Sequence, residues 1–175
     1  MRNDGLCVPC SNDTRDSMEE SRRWYREHLG RLRNPDPVQL YWSALVQRAV
    51  KDGGYDELLD VEKKYFAVCC LSGEVHNGGF QQFFCNSAGA YYRDALTGLE
   101  EMGADDCSQL LQKAKQVWFD FDDVPLEMRA RRILLNKNSS PSRDSRSDEL
   151  DRLFWKAAEA LTGKIEHYAM KNKLY

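Results

Sequence analysis

Residues 74–89 read EVHNGGFQQFFCNSAG, and the order of residue types in this stretch decides how the chain folds. The apolar residues leading into it, Leu58, Val61, Tyr65, Val68 and Cys69, recur at helical spacing from about Asp56 to Val75. Asn77-Gly78-Gly79 then breaks the pattern. Asn and Gly both tolerate the left-handed backbone that closes a helix, so the triplet predicts a sharp corner. Phe80, Phe83 and Phe84 resume the apolar face beyond it, which buries the aromatics and shows the amides of Gln81, Gln82 and Asn86.

Helical spacing continues in both directions. Downstream, Tyr92, Ala95, Leu96, Leu99 and Met102 form an apolar stripe closed by Gly103. Cys107, Leu110, Leu111, Ala114, Val117 and Trp118 follow behind an expected N-cap at Asp105, and a shorter helix carries Leu126, Ala130, Ile133 and Leu134. Residues 136–147, NKNSSPSRDSRS, read as a mobile polar loop. A last helix is expected from about Asp148 to Lys171, with Gly163 as the place for a close contact or slight bend. Upstream, Asp36-Pro37 is a start signal for a helix carrying Val38, Tyr41, Trp42, Leu45, Val46 and Ala49. No segment alternates with period two, so the fold class is all-α, a compact multi-helix bundle. The expected organisation is a polar, disordered leader over residues 1–16 and one helical domain over residues 17–175.

The chain has 175 residues, 42% hydrophobic and 30% charged, which suits one soluble domain with a sizeable core. Its apolar runs are too short to span a bilayer, and Arg2, Asn3 and Asp4 do not begin a secretory leader, so a cytoplasmic protein is expected. Six cysteines, Cys7, Cys10, Cys69, Cys70, Cys85 and Cys107, read as reduced thiols rather than a disulfide framework. Cys7 and Cys10 form a lone CxxC without the second ligand pair of a structural zinc site, so neither metal nor cofactor is expected.

The corner and the run from Tyr91 to Trp118 together resemble a bacterial DNA-mimic-like family of unknown-function domains, typified by a Neisseria DNA-mimic protein. The residues carrying the resemblance are Asn77, Gly78, Gly79, Phe80, Gln82, Phe83, Asn86, Ser87, Gly103 and Ala104. It is close over residues 74–118 and loose over residues 36–170. It implies an acidic, dimeric protein that occupies the DNA-binding surface of a transcription factor and does not itself bind nucleic acid.

Charge is segregated along the chain. Nine acids face two lysines between Asp94 and Glu127, whereas six bases face one acid between Met128 and Arg146. A second acidic group, Asp52, Asp56, Glu57, Asp60 and Glu62, precedes Lys63 and Lys64. Acids on neighbouring helix ends can imitate a row of phosphates. Asp56, Glu57, Asp60, Asp105, Asp106, Trp118, Asp120, Asp122 and Asp123 are therefore the candidate partner-binding residues. A plainer reading stands beside this one: acids in the first turn of a helix stabilise it without any partner, and Trp118 and Phe121 can plug the core. The arginines after Met128 read as a solvated face. The expected partner is a protein with a basic surface, either a transcription factor or, in an immunity-type inhibitor, a nuclease toxin. A small enzyme with a polar cleft at residues 77–86 is the alternative from another class. His28, His76 and His167 are widely separated, and no phosphate loop, nucleophile elbow or HExxH occurs, so catalytic residues are not assigned. Chelation should leave the thermal midpoint unchanged, as should Cys7→Ser with Cys10→Ser. Stoichiometric zinc lost with those substitutions would overturn this reading.

Overall fold

The computed structural model describes residues 15–33, 36–51 and 53–175. Cys7, Cys10, Asp52 and most of the expected leader lie outside the described residues. The chain divides into two compact units, residues 1–43 and 44–175. Helix α1 spans Arg15–Arg33, so Arg15 and Asp16 are already helical. Helix α2, Pro37–Ala49, begins where Asp36-Pro37 predicts, with the Asp36 carboxylate accepting the Val38 N–H at 3.1 Å.

The remaining helices are α3 (Asp60–Cys85), α4 (Tyr92–Glu101), α5 (Asp105–Phe119), α6 (Met128–Asn138), α7 (Pro141–Ala157) and α8 (Leu161–Lys171). Short 3-10 turns at Ser87–Tyr91 and Ala158–Ala160 lead into α4 and α8. No strand occurs among the described residues, and the fold is an all-α bundle.

Several boundaries differ from those the sequence suggests. Helix α3 starts at Asp60, because Leu59 is extended and its N–H is accepted by Glu62 at 3.1 Å. Asp56 and Glu57 therefore lie in the preceding turns rather than in the first turn of a helix. Ala104, not Asp105, occupies the N-cap of α5, and Asp105 is its first residue. The expected polar loop at residues 136–147 is largely helical: α6 runs to Asn138 and α7 begins at Pro141. Ser140 is the reason, since its hydroxyl accepts the Arg143 N–H at 3.4 Å and Pro141 preorganises the first helical position. The C-terminal helix breaks at Ala158–Ala160 and not at Gly163, where an added Cβ would meet only open space.

Helix α3 is the hub, packed against α4, α5, α6, α7 and α8. Its buried Val68, Leu71, Val75, Phe80, Phe83 and Phe84 join Leu99, Leu111, Trp118, Phe119, Phe154 and Leu161 in one core. Gly98 lets α4 approach closely, as a Cβ there would lie 2.8 Å from the Val68 side chain. Towards its C-terminal end α3 is sharply kinked: Gly78 is extended (φ −166°) and Gly79 has φ 76° with ψ −178°. The latter is a backbone region essentially restricted to glycine. A Cβ on Gly79 would also lie 2.1 Å from the Asp151 carboxylate. Gly103 has φ 67° but open space around it. Gly103→Ala should thus cost about 1–2 kcal/mol from backbone strain, and Gly79→Ala clearly more in denaturant unfolding. Equal losses would show that the Asp151 contact gives way freely.

Candidate functional site

A kink in a buried helix frees backbone groups that must find partners elsewhere. The Gly78–Gly79 break leaves the Phe80 N–H and the Val75 carbonyl available, and α7 supplies both. Asp151 accepts from Phe80 N at 2.8 Å, and Trp155 Nε1, one turn further on, donates to Val75 O at 3.1 Å. Between them Phe154 packs edge-on against Phe80 with ring centroids 5.2 Å apart. On another side of the break, Glu74 Oε2 accepts from Gln82 Nε2 at 2.6 Å and from Asn86 Nδ2 at 2.9 Å, lacing the two halves together. Gln82 and Asn86, expected at a polar cleft, thus donate their amides internally. Asn77 is exposed, and His76 Nδ1 lies 2.7 Å from Ser72 O.

The C-terminal end of α3 is closed by arginines from α6. Arg131, at 0% exposure, directs Nε to Phe84 O at 2.8 Å and one terminal nitrogen to Asn86 O at 2.6 Å. Its other nitrogen donates to Pro125 O and Leu126 O at 2.8 and 2.6 Å. Arg132 Nε takes Cys85 O at 2.9 Å. A cation over the negative end of a helix dipole explains how a guanidinium is held inside without a carboxylate, although burial lowers its pKa below the usual value. Arg131 is therefore not part of a solvated face, and Gly89 leaves room for it, since a Cβ would lie 2.7 Å from Arg131 Nε.

The candidate acids fall into two groups. Helices α4 and α5 form an antiparallel hairpin through Gly103, with the start of α4 tied to the end of α5 by Arg93–Asp123 at 3.0 Å. Asp105 and Asp106 lie at one end of α5, and Asp120, Asp122 and Asp123 beyond the other. The helix between them spans about 20 Å at the usual rise of 1.5 Å per residue. Asp60 belongs with the first group through Lys64, whose Nζ lies 2.5 Å from Asp60 and 2.6 Å from Glu101. Those two bonds, Asp60 first, raise the lysine pKa despite burial. Tyr168 donates to Glu101 at 3.2 Å and is pushed up to about 12, mainly by burial. At the other end, Tyr55 donates to Asp94 at 2.6 Å. Arg143 donates to both oxygens of Asp120 at 2.9 and 3.1 Å, and to Val117 O at 2.5 Å. Asp56, Glu57, Asp105, Asp106 and Asp122 are exposed and make no ion pair among the described residues.

Trp118 is not a surface anchor. It is 1% exposed, with Nε1 donating to Ser147 Oγ at 3.2 Å, while Asn138 Nδ2 donates to its carbonyl at 2.7 Å. Sequence reasoning did not single out Asp151 or Trp155, read Arg131 as part of a solvated face, and let Phe121 plug the core, whereas Phe121 is 96% exposed. Only Phe121 carried a local signal, an aromatic residue set between Asp120 and Asp122.

No group of three or more His, Cys, Asp or Glu residues that could hold a metal ion occurs among the described residues, and no described helix is long and apolar enough to cross a membrane. Burial pushes the Cys69 and Cys70 thiols up to about 12 and Cys107 to about 11. These three thiols should resist alkylation in the folded protein at mild pH and react on unfolding, as mass spectrometry of labelled peptides would show.

Two further outcomes follow from this geometry. Arg131→Leu strands buried carbonyls, each worth about 1–3 kcal/mol, so it should lose at least about 3 kcal/mol in denaturant unfolding, and Arg131→Lys should recover only part. Burial raises the Asp151 pKa above its ordinary 3.8, outweighing the Phe80 hydrogen bond. The native state thus holds this proton to higher pH than the unfolded chain, and stability from this group declines as pH rises from 3.8 through the native value. Asp151→Asn keeps an acceptor for Phe80 and should remove that slope in unfolding measured across pH.

Comparison with known proteins returned no match among curated proteins and none among solved structures. A family model described as DMP19-like protein matches residues 56–172. The matched span runs from the turn before α3 through the kink, the arginine caps and the α4–α5 hairpin to the end of α8, and the chain belongs to the DMP19-like protein family.

Proposed function

We propose that this protein is a non-enzymatic, DNA-mimic-like regulator that presents acidic helix ends to a basic protein and so occludes that protein's nucleic-acid site. The observation that carries this reading is the fate of the charges. Half of the basic block that would cancel an acidic field is drawn into capping: Arg131 is buried on carbonyls, Arg132 reaches Cys85 O, and Arg143 is spent on Asp120 and Val117 O, while Arg129, Lys137 and Arg146 stay exposed. Asp105, Asp106, Asp56, Glu57 and Asp122 meanwhile remain exposed without ion pairs among the described residues. The acids form two patches separated by the length of α5, which suits a partner that grips successive phosphate groups at intervals rather than a single anion. Gln82 and Asn86, held by Glu74, present no base and no free amide pair for chemistry, and the kink serves as scaffold.

Asp105 and Asp106 stabilise α5 through its dipole by about 0.3–1 kcal/mol each, so a binding test must be read beside a stability measurement. The partner is identified by affinity purification from the native host and then purified. Asp105→Asn with Asp106→Asn, and separately Asp122→Asn with Asp123→Asn, should each weaken its binding. Raised salt should slow association, because steering is screened beyond about 8–10 Å. Double-stranded DNA should compete for a DNA-binding partner, and a nuclease partner should lose activity on mixing. Binding indifferent to these substitutions and to salt would reduce the acids to helix caps.

A further inference from the structure

The connector between α5 and α6 is held rigidly from beneath while its apolar side chains stand in solvent. Phe121 is 96% exposed and Leu126 75%, and Met128, the first residue of α6, is 40% exposed beside them. The backbone carrying Phe121 is strained: Asp120 has φ 50° and ψ −122°, the first central position of a type II′ turn, where glycine is the usual occupant. The turn is closed by Asp122 N–H donating to Phe119 O at 3.0 Å. Arg143 fixes the Asp120 carboxylate and Lys115 Nζ donates to its carbonyl at 3.2 Å. At the far end, buried Arg131 fixes Pro125 O and Leu126 O. Core packing does not need Phe121, since Phe119 and Val124 already fill the interior on either side. A strained, over-determined turn with an aromatic tip in water is arranged for contact rather than for stability. An anchor whose backbone is fixed beforehand loses little entropy on binding.

We propose that this connector is a preformed docking knob whose Phe121 enters an apolar socket, rimmed by lysine or arginine, on a partner protein. The basic rim is inferred from charge complementarity. Asp122 and Glu127 are exposed beside the knob without ion pairs among the described residues, and Asp123 has only its exposed contact with Arg93. The proposal rests on the acidic-surface reading and adds to it the residue expected to dominate affinity.

The test uses the intact chain and two synthetic peptides, one alternating lysine with leucine and one alternating lysine with serine, with binding followed by calorimetry and by amide and methyl chemical shifts. The leucine peptide is expected to shift resonances at Phe121, Leu126 and Met128. Phe121→Ser, which touches no core residue, should weaken it about tenfold, to the level of the serine peptide. Equal binding of both peptides, lost with Asp122→Asn and Asp123→Asn, would overturn the knob while leaving the acidic surface standing. Binding of neither peptide would remove both readings. Sedimentation of the protein as a dimer that Phe121→Ser dissociates would show that the knob is covered by a second copy of the chain, which also overturns the proposal.

Discussion

A helix that bends in the middle of a core must have its freed amide and carbonyl groups satisfied by protein, because water does not reach them. In this chain that requirement falls on the break at Gly78–Gly79, and it organises what surrounds it. Asp151 and Trp155, one turn apart on α7, answer the freed N–H and C=O, while Glu74 ties Gln82 and Asn86 across the break. The packing of α7 on α3 is therefore specified by hydrogen bonds as well as by Phe154 against Phe80, and a shift of α7 by one residue would leave both groups unpaired. The absence of a Cβ at Gly79 is what lets the carboxylate come close enough.

Helix ends impose the second constraint. The last carbonyls of α3 are taken by Arg131 and Arg132, and those of α5 by Arg143 and Asn138. Acids sit at the opposite poles: Asp60 and Glu62 at the start of α3, Asp105 and Asp106 at the start of α5. Part of the segregated charge of the sequence is this pattern written out along the chain, since the segment after Met128 is the one that passes the carboxyl ends of α3 and α5. Capping and display are compatible for Asp60, Asp105 and Asp106, which are exposed, whereas Glu62 is buried against Arg48 and the Leu59 N–H. The two roles are incompatible for Arg131, which is consumed. Arg131 is thus withdrawn from the surface while Asp105 and Asp106 remain on it.

The connector after α5 shows the same inequality on a smaller scale. Arg131 and Lys115 bond its backbone and Arg143 holds the Asp120 carboxylate, while Phe121, Asp122 and Asp123 are exposed. The connector lies within residues 56–172, the span matched by the DMP19-like protein family.

Helical periodicity, the glycine punctuation and the Asp36-Pro37 start were legible in the sequence because each is a local property of a few neighbouring residues. The corner at Asn77-Gly78-Gly79, the positive φ of Gly79 and of Gly103, and the apolar stripes of α4 and α5 follow from residue type and spacing alone. The start of α7 was equally local, in Ser140-Pro141, but was obscured by the polar composition around it. What residues 71 or 47 positions away contribute was not legible: that Asp151 caps Phe80, that Arg131 is buried on Phe84 O, and that Trp118 is inside while Phe121 is outside. Arg131 and Arg129 look alike in sequence, as do Asp120 and Asp122. Only packing tells them apart, because the environment of a charge is set by which helix end or opposite charge the fold brings within hydrogen-bonding distance, and that distance is a tertiary quantity.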